Sequence, residues 1–189
     1  MVEFTLHTPA TAPEGSRERL ENAEKSMGFV PALWAAQAEA PALLEGYQTL
    51  ANIFDKTSLD KTERQIVLMT SNYENECHFC MAAHTAISKS QGIDDAVIDA
   101  LRNNTPLPNE KYEALRTFTR KVVQERGWVE PAEVDVLINA GYTRQTALEV
   151  VLGVGLKVLS NYTNHIVDTP VNEQFQPFAW SKSETVAVE

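Results

Sequence analysis

The stretch Glu74-Asn75-Glu76-Cys77-His78-Phe79-Cys80-Met81-Ala82-Ala83-His84 holds both cysteines of this 189-residue chain. On a helix, Cys77, Cys80 and His84 stand at i, i+3 and i+7, so the three share one face. Asn75 is the candidate N-cap, which would put Cys77 in the first turn. Unpaired backbone N–H groups there favour an anion and so stabilise a thiolate. A free cysteine, with a pKa of about 8.5, is lowered by one to several units in such a place. One thiolate can then attack an oxidised substrate while the other resolves the product as an intramolecular disulfide. His84, one turn beyond Cys80, is placed to take and return the proton.

Two other readings of the motif exist. Cysteines are often buried as small apolar residues, in which case the chain is a non-catalytic helical assembly or binding protein with inert thiols. Alternatively Cys77, Cys80 and His84 form a metal site with His78 or His165 as fourth ligand. Against that, structural zinc draws on two separated knuckles, and no second CxxC or HxxxH is present.

Working outward from the motif, every segment reads as helix. Asp60 followed by Glu63 resembles a capping box, opening a helix that carries Ile66, Val67 and Met69 toward Tyr73. Upstream, a helix is expected from Ser16, as N-cap, to Ser26, stopped by Gly28. Pro31 and Pro41 open two more. Downstream, Gly92 ends the cysteine helix, and Asp94 or Asp95 caps a short one. Asn109 caps a long helix that Gly127 stops, Pro131 opens the next, and Thr143 caps a last helix reaching Val167. Gly153 and Gly155, inside that last helix, suit close helix approach. Asn161 and His165 share a face of it, as a pair near the thiols or a packed contact. No segment alternates in the manner of a strand. The fold class is therefore all-α, with an arm over residues 1–15, a helical domain over 16–170 and a tail over 171–189. The tail aromatics Phe175, Phe178 and Trp180 suit docking on the body or on a neighbouring subunit.

Composition bounds the partners. Apolar residues make up 43% of the chain and the formal charge is −10. Nucleic acid and anionic membrane surfaces are excluded as partners, because both need clusters of Lys and Arg. No secretory signal opens the chain and the longest apolar run, interrupted by Glu149 and Lys157, is too short for a span. A cytoplasmic location is the expectation. Two cysteines three apart suit redox or metal chemistry there rather than a disulfide scaffold. No flavin, haem or nucleotide motif occurs, so no organic cofactor is expected.

The motif, together with Leu59-Asp60-Lys61-Thr62-Glu63-Arg64-Gln65-Ile66-Val67-Leu68 before it, resembles the alkylhydroperoxidase AhpD and carboxymuconolactone decarboxylase superfamily, in its peroxidase-related branch. The resemblance spans about residues 28–168. It includes Gly28-Phe29-Val30-Pro31 and Leu159-Ser160-Asn161-Tyr162-Thr163-Asn164-His165. It implies an AhpD-like helical bundle assembled as a trimer or hexamer. It also implies a thiol-dependent hydroperoxide reductase or related disulfide oxidoreductase, regenerated by an external dithiol protein. By position, Cys80 matches the attacking thiol, Cys77 the resolving thiol and His84 the proton relay. Two positions depart from the pattern. The relay glutamate, twelve residues before the first cysteine, is Gln65 here, and the histidine within the CxxC is His78, not residue 79. Gln65 cannot carry a proton as a carboxylate does. The nearest carboxylates are Glu74, placed to orient His84, and Glu63, which suits a helix-start charge.

Overall fold

The computed structural model describes residues 3–182, and among them every regular element is a helix, with no strand. The helices are α1 (Glu14–Met27), α2 (Ala32–Gln37), α3 (Pro41–Phe54), α4 (Lys61–Glu74), α5 (His78–Ser90), α6 (Asp95–Asn103), α7 (Glu110–Gln124), α8 (Pro131–Asn139) and α9 (Arg144–Val167). A 3-10 helix, Glu173–Phe178, follows. The expected caps at Asp60, Asp94, Asn109 and Thr143 all form, each accepting a backbone N–H. At Asp60 the Glu63 carboxylate reciprocates, completing the capping box.

Helix α4 is the centre. Ile66 to Asn72 are buried without interruption, because α5, α6, α7 and α9 pack around it. A helix covered on all sides loses the one-sided stripe that marks a surface helix. Phe54, Ile66, Met69, Met81 and Leu115 are fully buried in the main core, each worth about 1.5–3 kcal/mol of burial. Gly153 permits the tightest contact: a Cβ there would meet Val67 Cγ1 at 2.7 Å and the Phe54 ring at 2.8 Å. Gly155 has no such role, since a Cβ there meets nothing within 4 Å.

Two helix starts differ from expectation. Helix α1 begins at Glu14 after Pro13, and Ser16 is not its cap. The Ser16 hydroxyl is buried and donates to the Ala38 carbonyl at 2.8 Å, tying α1 to the end of α2. The second difference, at Asn75, shapes the site and is described below. The tail folds back on the body: Phe175 packs edge-on against Phe79 and Phe29, and Trp180 donates from its indole N–H to the Arg102 carbonyl at 2.8 Å. No helix among the described residues is long and apolar enough to cross a membrane.

Candidate active site

Helix α4 ends in a turn that delivers the first cysteine. Cys77 N–H donates to Asn72 O at 2.9 Å and Glu76 N–H to Tyr73 O at 3.1 Å, with Glu76 in the left-handed region at φ 55°. This is the Schellman arrangement, with glutamate where glycine is usual. It uses Asn75 as the C-cap of α4, so Asn75 does not cap α5. Cys77 itself stands at the N-cap of α5, and Cys80 lies in the first turn, among its unpaired N–H groups.

Both thiols are free and buried. Asn164 of α9 spans them: its Nδ2 donates to Cys80 Sγ at 3.2 Å and to Cys77 Sγ at 3.5 Å. Their environments otherwise differ. Burial opposes a thiolate at Cys80, but the Cys77 thiol donating to it, the Lys157 ammonium, and the Ser160 and Asn161 side chains outweigh burial. The Cys80 thiol is therefore held below its ordinary range. Cys77 is pushed up, chiefly because its proton is engaged by Cys80 and because it is buried.

His84 projects from α5 between two fixed partners. Its Nδ1 is 2.8 Å from Gln65 Oε1 on α4, and its Nε2 is 3.0 Å from Lys157 Nζ on α9. An ammonium only donates, so Nε2 must accept. The ring proton is then on Nδ1, donated to the Gln65 carbonyl. Burial, and secondly the Lys157 charge, hold the imidazole well below its ordinary pKa, which keeps this neutral tautomer.

A cavity of about 360 Å³ opens onto this group. Cys80, His84 and Lys157 supply its polar end, and Phe29, Trp34, Tyr47, Phe79 and Phe175 supply aromatic wall. Cys77 does not line it. Burial, then the charges of Cys80 and Cys77, raise the Tyr47 phenol, so it stays protonated.

Residues 38–108, which carry α3 to α6 and the cysteine pair, match the model of the Carboxymuconolactone decarboxylase family. That match covers the middle of the chain. Its fold matches the alkylhydroperoxidase AhpD core of a peroxidase-related protein from Ralstonia eutropha JMP134, with TM-score 0.82 and 22% identity over 92% of this chain and 93% of that one. A peroxidase-related protein from Silicibacter sp. TM1040 matches with TM-score 0.77 and 19% identity over 92% of each chain. The debrominase Bmp8 matches with TM-score 0.76 and 18% identity over 92% and 94%, and its cysteine-to-alanine form has been seen with 2,3,4-tribromopyrrole. At these identities the likeness is one of fold. No curated protein matches the chain in sequence.

Within this AhpD-like bundle the remaining candidates scatter. Glu74 does not orient His84: it points to α7, accepting from Arg120 at 3.0 Å and Gln124 at 2.9 Å. Glu63 serves its capping box and pairs with Lys111 at 3.0 Å. His78 faces outward, its Nδ1 2.9 Å from the Trp180 carbonyl. His165 is exposed and stacked on Tyr162, away from the cavity. The Cys/His metal set therefore does not converge, and no cluster of three or more His, Cys, Asp or Glu among the described residues could hold an ion. Asn161 is at the site, donating to Asn72 at 3.0 Å and accepting from Asn75 at 2.9 Å. The residues that sequence reasoning passed over are Lys157, Ser160 and Asn164. Their spacing with Asn161 puts all four on one face of α9, and a lysine inside an apolar helix was the available signal.

Proposed function

We propose that this AhpD-like helical protein is a thiol-dependent reductase that removes an electrophilic atom from an organic substrate, an alkyl hydroperoxide being the first choice. The observation that carries the reading is the asymmetry of the cysteine pair: Cys80 lines the cavity and is depressed, while Cys77 lies behind it and stays protonated. In this reaction the Cys80 thiolate attacks the terminal peroxide oxygen, an S–O bond forms, and the O–O bond breaks to release an alkoxide that is protonated to the alcohol. Cys77 then attacks the Cys80 sulfur, forming the disulfide and expelling water. The pair loses two electrons to the peroxide, and an external dithiol returns them.

The aromatic wall favours a second substrate for the same chemistry, a halogenated aromatic ring, as the likeness to a debrominase suggests. There the thiolate takes the halogen, the ring carbon gains a proton, and Cys77 displaces halide as the disulfide closes.

The test is to add stoichiometric cumene hydroperoxide to the reduced protein and follow intact mass. The reading expects loss of two hydrogens, a trapped sulfenic acid in Cys77→Ser and no reaction in Cys80→Ser. Reduced thiols under excess hydroperoxide, with disulfide and halide produced from a bromopyrrole, would select the second substrate. Inertness to both would overturn the proposal.

A further inference from the structure

We propose that Lys157 is the counter-ion of the Cys80 thiolate and the proton donor to the departing group, with His84 and Gln65 acting to aim its ammonium. Lys157 is 1% exposed, in the middle of α9. A buried ammonium without a compensating charge is far too costly to keep. Yet among the described residues no carboxylate lies within ion-pair distance of it, and its hydrogen-bond partner is the neutral His84 ring at 3.0 Å. The titratable groups that face it are Cys77, Cys80 and His84 at α5 and Tyr47 on α3. His84 is held neutral, and Cys77 and Tyr47 are held protonated. That leaves Cys80 as the anion that balances Lys157.

The relay is thus longer than a cysteine and a histidine. Gln65 holds Nδ1–H, which presents the bare Nε2 to Lys157, which turns one N–H of the ammonium to the ring. The other two N–H groups are available to the sulfur and to the cavity. When Cys80 becomes a neutral sulfenic acid, the ammonium loses its counter-ion beside the new alkoxide. Proton transfer from Nζ to that oxygen gives the alcohol and a neutral amine. With the Cys77 proton, this supplies both protons that reduction of a hydroperoxide to alcohol and water requires. The donor role rests on the proposed reaction, whereas the ion pair does not.

The experiment is iodoacetamide alkylation of the reduced full chain between about pH 9 and 6, with Cys80 resolved by peptide mass. Wild type is expected to hold its Cys80 rate nearly constant over that range. Lys157→Met should lose roughly tenfold per pH unit below about 8.5, as a free thiol does, and Lys157→Arg should restore the flat profile. Circular dichroism checks folding, and Lys157→Gln replaces the Met variant if that one is unfolded. A wild-type profile that already falls like a free thiol overturns the ion pair without any variant, as does a flat profile in the neutral variants. No peroxide is present, so this result stands apart from the substrate test. At about pH 9, single-turnover oxidation by cumene hydroperoxide, corrected for thiolate fraction, should still be slowed at least about tenfold in Lys157→Met. Equal corrected rates there overturn the donor role.

Discussion

Gln65 Oε1 on α4 lies 2.8 Å from His84 Nδ1 on α5. The amide accepts the ring proton but cannot take it, so it fixes the tautomer without adding charge. Gln65→Leu would leave the buried Nδ1–H unpaired, at a cost of about 1–3 kcal/mol, read as a lower urea midpoint. Gln65→Glu places a negative charge against the ring and should raise the His84 titration by about one unit or more, followed by NMR of the imidazole. An unshifted His84 in the Glu variant would mean that the contact does not persist in solution.

Stability should depend on pH through the same residues. The folded Cys80 is depressed, so below about pH 8.5 the unfolded chain binds a proton that the folded one does not. The folded His84 is depressed too, adding the same effect below about pH 6.5. Stability of the reduced protein is therefore lost as pH falls, by at most about 1.4 kcal/mol per unit from each group. Cys77 acts oppositely: its raised pKa costs stability only as pH rises above about 8.5. Urea unfolding from pH 9 to 5 should thus show a maximum near about pH 8.5, and Cys80→Ser should flatten the fall between about 8 and 7.

Glu74→Gln separates stability from chemistry. The carboxylate is nearly buried and bonds Arg120 and Gln124 across the α4–α7 contact. Its loss should cost about 1–3 kcal/mol, while peroxide oxidation of the thiols proceeds at the wild-type rate under native conditions. A slowed oxidation in a folded Glu74→Gln protein would return this residue to the site.

The two glycines of α9 should respond in opposite directions. Gly153→Ala drives a methyl into Val67 and Phe54 and should cost about 1–3 kcal/mol. Gly155→Ala meets open space and should gain up to about 1 kcal/mol from helix propensity. Thermal melting of the pair checks both signs.

His165→Asn should leave turnover unchanged, because the ring is exposed and stacked on Tyr162 rather than facing the cavity. A reduced rate would place α9 differently against the thiols in the working assembly.

Local signals were legible wherever one residue decides one backbone event. Asp60, Asp94, Asn109 and Thr143 each cap the helix that follows, since a short polar side chain meets an unpaired N–H whatever surrounds it. The cysteine pair with His84 was legible for the same reason, by spacing along one helix. The left-handed Glu76 was not, because the turn there is held by α4 and α5 rather than by a glycine. Nor were the partners of His84. Gln65, Lys157 and Asn164 come from α4 and α9, and nothing in their sequence separation says which carboxylate, amide or amine will face the ring. The chain by itself determined an all-helical protein with a CxxC at a helix start and a histidine beyond it. Only the tertiary packing decided that Glu74 turns away, that a buried lysine takes its place as the charged group, and that one thiol faces the cavity while the other hides behind it. Those outcomes depend on which helix faces meet, and burial without a carboxylate partner is what leaves the thiolate to balance Lys157.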